Sequence, residues 1–86
     1  VTRLEAATAA RLAAKVGPDA VRGPVLAAHD ALTVAREIHR RGIGLPEGTE
    51  DFIAGCLRRR SGPLTARMAG DLIVLAVDYC VKRITV

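Results

Sequence analysis

Residues 67–83, "RMAGDLIVLAVDYCVKR", constrain the fold more than any other stretch, because they are mostly apolar yet meet a charge every turn or two. A membrane span needs roughly 20 largely uncharged residues. The longest clean run here is "LIVLAV", closed on both sides by Asp71 and Asp78. So short a run suits a strand, since Val and Ile favour sheets. The charges decide the matter. At about 100° per residue, Arg67, Asp71, Asp78 and Lys82 fall within about 60° of one another on a helix. On a strand, Asp71 and Lys82 point to opposite faces. The helix also offers two i,i+4 pairs, Arg67–Asp71 and Asp78–Lys82, the second in the favoured acid-first order and each contributing about 0.2–0.5 kcal/mol. Nearly all the remaining circumference is apolar: Met68, Leu72, Ile73, Leu75, Ala76, Val77, Tyr79, Cys80, Val81 and Ile84. The pattern predicts a central helix over 64–84 with one narrow wet stripe.

The rest of the chain has to supply neighbours for that helix. Half of the residues are apolar, many of them alanines, and Phe52 and Tyr79 are the only aromatics. A ring-poor core of Ala, Leu, Val and Ile favours close-packed helices over a β-sandwich. Thr2 and Glu5 have the spacing of a capping box, so a first helix is expected over 3–16, ended by Gly17 and Pro18. Ala6, Ala9, Ala13 and Val16 give it a small-residue face. Pro24 suits the first position of a second helix over 24–41, with Gly42 at its C′ position. Its Ala27, Ala28, Ala31, Leu32, Val34, Ala35 and Ile38 share an apolar face, opposite His29, Thr33, Arg36, Glu37, Arg40 and Arg41. Thr49 is expected to cap a third helix over 50–60 that buries Phe52, Ile53, Cys56 and Leu57. The short connections suit antiparallel neighbours in a bundle. The expectation is one all-α domain over 1–86, a compact bundle of about four helices around a mostly apolar C-terminal one.

Little in the sequence points to catalysis. His29 and His39 lie on opposite flanks of one helix, and His39 is favourably placed at the negative end of the helix dipole. Ser61 lies in a helix break with no nucleophile-elbow motif around it. Glu47, Glu50 and Asp51 cluster at a helix start, where the dipole favours acids, and "PEGTED" lacks calcium-loop spacing. "GIGLPEG" has the glycines of a phosphate cradle, but no Walker lysine, and acids at the site. Cys56 and Cys80 have neither disulfide-framework nor zinc spacing and read as buried, reduced thiols. No catalytic residue, metal ligand or cofactor is assigned, and an enzyme is not expected.

The net charge of +4 comes mainly from arginine. Arg58, Arg59 and Arg60 form the densest basic run, but consecutive helical residues point about 100° apart. Arg36 and Arg40 make a second strip. Residues 33–60 have the outline of a helix-turn-helix, yet about seven residues connect the helices where the motif wants three or four. Two acids also open the supposed recognition helix. The first expectation is therefore a non-catalytic interaction module, a self-associating or protein-docking regulator or assembly component, using Leu72, Leu75 and Tyr79. The alternative is a nucleic-acid-binding regulator that uses Arg36, Arg40, Arg58, Arg59 and Arg60. The N-terminus lacks the apolar core of a signal peptide, so a cytoplasmic location is expected. The Ala, Arg, Gly and Val bias suggests a bacterial or phage source.

Overall fold

Thr2 opens the first helix of the computed structural model, which describes residues 2–85. Its hydroxyl accepts the Glu5 backbone N–H at 3.1 Å, and the Glu5 carboxylate accepts the Thr2 N–H at 3.0 Å. This capping box starts α1, Arg3–Val16. The Thr2 backbone N–H, followed by the Thr2 hydroxyl, holds the Glu5 carboxyl below its ordinary range. A depressed carboxyl stabilises the fold above its unfolded pKa and loses that contribution as pH falls through the folded one. The box therefore fades below the ordinary glutamate range.

Three further helices follow: α2, Pro24–Arg41; α3, Thr49–Arg59; and α4, Ala66–Thr85. No strand occurs among the described residues. Pro24 stands at the first turn of α2, and Gly42 ends it in the left-handed region at φ 64°, its N–H donating to the Ile38 carbonyl at 3.1 Å. The start of α3 differs from expectation. Gly48, at φ 89°, takes the cap position, and Thr49 is fully buried with its hydroxyl donating back to the Pro46 carbonyl at 2.7 Å. The turn needs a positive φ, which glycine adopts without strain, so the threonine enters the helix. α4 also starts later than expected. Thr65 caps it, accepting the Met68 N–H at 3.2 Å, while Leu64 stays outside the helix and is buried.

The all-α, compact four-helix bundle is the observed fold, with α2 rather than α4 at its centre. α2 and α3 each touch all three other helices, α2 the most extensively, whereas α4 packs on α2 and α3 and makes no close backbone approach to α1. Leu12, Val16, Ala31, Val34, Ala35, Ile53, Ala69, Ile73 and Ala76 form the centre of the core.

The position of α2 corrects two of the expected faces. A helix with three neighbours has a wider buried arc, and Asp30 and Glu37 fall inside it, 1% and 6% exposed. Asp30 is ion-paired to Arg22 from the α1–α2 loop. Glu37 pairs with Arg40 at 3.0 Å and Arg41 at 3.8 Å. Ala28, assigned to the apolar face, is exposed. On α1 the buried line is Thr8, Leu12 and Val16, and Ala6 is exposed. Thr8 is tolerated inside because its hydroxyl shares a 2.8 Å hydrogen bond with His39 Nε2 and accepts from Arg11 at 3.2 Å.

Candidate interaction surface

α4 buries one side only. Ala69, Gly70, Ile73, Ala76 and Cys80 face the bundle, and Leu72 and Val77 are half-buried against it. Gly70 leaves room for the Arg41 guanidinium, which a Cβ there would push aside. The outer side carries the expected charged stripe flanked by two apolar strips. One holds Val74 and Val81. The other holds Met68, Leu75 and Tyr79, which are 36%, 57% and 45% exposed. Leu72 forms the inner edge of this second strip. Thus, of the three residues assigned to an interface from sequence, Leu75 and Tyr79 are exposed and Leu72 is partly covered.

Tyr79 is held in place by neighbours on both sides. Its ring lies 4.9 Å from that of Phe52 on α3, tilted by 36°, an arrangement in the preferred range for aromatic pairs. The Arg83 guanidinium sits 5.7 Å from the Tyr79 ring centroid. Of the two expected charge pairs in the stripe, Asp78–Lys82 forms at 3.0 Å. No ion pair joins Arg67 to Asp71, in line with the weaker preference for the base-first order.

The basic residues are dispersed. Arg58 turns back on α1: its Nε donates to the Val16 carbonyl at 2.9 Å and its Nη2 to the Lys15 carbonyl. These are among the carbonyls a helix C-terminus leaves open, so the arginine acts as a cap in trans. Arg60 Nη2 donates to the Pro63 carbonyl at 2.8 Å and lies 3.5 Å from Met68 Sδ. Arg59 carries no ion pair among the described residues; its guanidinium lies over Gly55. Arg40 is tied to Glu37, while Arg36 is exposed beside an open groove of about 710 Å³.

That groove joins Arg36, His39 and Arg40 to Glu5, Glu37 and Thr2. His39 on its lining shares a hydrogen bond with the Thr8 hydroxyl, but Thr8 is buried outside the groove and Arg11 donates to the same oxygen. An attacking hydroxyl needs an approach path and a base oriented by a third group; the pair reads as a tie between α1 and α2. The acidic cluster at the start of α3 also has partners. Glu50 meets Arg11 at 3.2 Å and Asp51 meets Lys15 at 2.6 Å, pinning α3 to α1. The hydrogen bond to Asp51 raises the Lys15 pKa, and that to Glu50 raises the Arg11 pKa. Among the described residues no group of three His, Cys, Asp or Glu could hold a metal ion, and no helix is long and apolar enough to cross a membrane. Both cysteines are free thiols, with Cys80 buried and Cys56 only half-buried, because Cys56 lies at the margin of α3 beside Phe52. The chain matches no protein-family model, no curated protein and no solved structure.

Proposed function

We propose that the chain is a non-catalytic interaction module, a small regulator or assembly component that covers the outer face of α4 with another protein surface. The observation that carries this reading is the strip of Met68, Leu75 and Tyr79, exposed together on one helix. Scattered surface apolar residues are ordinary, but a contiguous apolar strip bordered by charges is typical of a contact surface. The two free thiols fit a reducing, cytoplasmic setting.

A nucleic-acid surface built from Arg36, Arg40, Arg58, Arg59 and Arg60 has weaker support. Arg58 and Arg60 direct donors to backbone carbonyls, and Glu37 shares Arg40. Phosphate recognition releases counterions, so it weakens steeply between about 50 and 200 mM salt, whereas apolar contacts change little. Titration with duplex DNA at both salt levels should give no tight complex, and any self-association of the chain should vary little between them. A tight, salt-sensitive DNA complex that disappears when Arg58, Arg59 and Arg60 are replaced by Ala would overturn the reading.

A further inference from the structure

Taking the outer face of α4 as the contact surface, we propose that its occupant is a second copy of this chain, with the two α4 helices side by side and parallel about a two-fold axis. Met68, Leu72, Leu75 and Tyr79 are separated by four, three and four residues, the alternation of a coiled-coil seam. Such a seam can meet its own copy in two directions. The charges beside it distinguish them.

In an antiparallel pair each flank of the helix meets the same flank of its copy. The seam residues are symmetric about the midpoint between Ile73 and Val74, so Leu72 would meet Leu75, and Met68 would meet Tyr79. That register sets Asp71 beside Asp78 of the second copy and Lys82 beside Arg67. Like charges oppose one another throughout, and juxtapositions of this kind are unfavourable.

In a parallel pair the acidic flank meets the opposite flank. Asp78 then faces Arg83 of the second copy, five residues further on, the usual pairing across a parallel seam. Arg83 is already turned to the seam side, over the Tyr79 ring. Asp71 finds a second cation on α3, which runs antiparallel beside α4: Phe52 stacks on Tyr79 and Arg60 reaches Met68. Arg59 shares a face of α3 with Phe52 and Cys56. Seven residues separate it from Phe52, and eight separate Asp71 from Tyr79, so at 1.5 Å per residue both lie roughly 10–12 Å along from the stacked rings. Asp71 and Arg59 have no ion pairs within the chain among the described residues. One edge of the strip thus offers an unpaired acid, the other an unpaired cation at the same level, and only the parallel arrangement joins them.

The pairing is tested by charge exchange, with the mass in solution read by light scattering. Asp71→Arg and Arg59→Asp should each raise the dimer dissociation constant about tenfold, equivalent to about 1.4 kcal/mol for two symmetric contacts. The double variant should recover most of the loss. Both positions are exposed, so circular dichroism should show an unchanged fold. Direction is tested by Leu75→Cys in a chain with Cys56 and Cys80 replaced by Ala. A parallel two-fold pair sets position 75 against itself and should yield a disulfide-linked dimer on mild oxidation. A dimer that gives no such link and no charge rescue overturns the parallel arrangement. A chain that remains monomeric at all concentrations overturns self-pairing, leaving α4 to dock a different protein. Those outcomes are distinct from tight, salt-sensitive DNA binding, which would defeat the interaction-module reading itself.

Discussion

Ala76→Asp is expected to remove about 3–5 kcal/mol of stability, the range for an uncompensated buried charge. Ala76 is fully buried on the inner side of α4, next to Ile73 and opposite the charged stripe. A carboxylate there gains no partner and cannot reach water without lifting α4 from α2 and α3. For a domain of this size each kcal/mol shifts the thermal midpoint by about 4–8 °C, so a fall of roughly 12–40 °C should follow. Asp78→Ala is the control. It removes an exposed i,i+4 pair with Lys82, which contributes about 0.2–0.5 kcal/mol. Equal midpoints for the two variants would place the bundle on the wrong side of α4.

The second large effect belongs to Arg22→Ala. Arg22 comes from the α1–α2 loop and is the ion-pair partner that compensates Asp30, whose side chain is 2% exposed. His29 offers little instead: its Nδ1 is 4.0 Å from Asp30 Oδ1, and its side chain is largely in solvent. Removing the arginine leaves a carboxylate inside α2, and the expected loss is again about 3–5 kcal/mol. Replacing both Arg22 and Asp30 by Ala should cost less than Arg22→Ala alone, because the stranded charge disappears with its partner. Chemical denaturation of the two variants decides this. A double variant as unstable as the single, or worse, would show that the pair is not the source of the loss.

The helices were legible because their ends are written locally. Thr2 with Glu5, Gly17 with Pro18, Pro24, Gly42 and the Ser61–Gly62–Pro63 break each act on the few residues beside them. The inner side of α4 was legible too, since its charges share one stripe. What the sequence conceals is the number of neighbours each helix has. Glu37 reads as solvent-facing on a wheel drawn for one buried face, and the arginine that compensates buried Asp30 cannot be inferred from wheel position, because Arg22 lies in the preceding loop. The burial of Thr8 is not legible locally, because it depends on His39, 31 residues away. Arg58 looked like a phosphate contact because its target, the open end of α1, comes within reach only in the folded bundle. At the candidate surface, Leu75 and Tyr79 followed from the apolar excess on α4. The proposed pairing of Arg59 with Asp71 did not, because it depends on how α3 lies along α4.

The most direct measurement of the central claim compares the wild-type chain with Leu75→Asp for mass in solution and thermal midpoint. Leu75 neighbours Ala76 in sequence but lies on the bare outer strip, 57% exposed. The wild type should associate reversibly with rising concentration. Leu75→Asp should remain monomeric, with stability within about 0.5 kcal/mol of wild type at concentrations where both are monomeric, as expected for a surface substitution. A Leu75→Asp chain that associates as the wild type does, or that unfolds as Ala76→Asp does, would contradict the assignment of this face of α4 as an interaction surface.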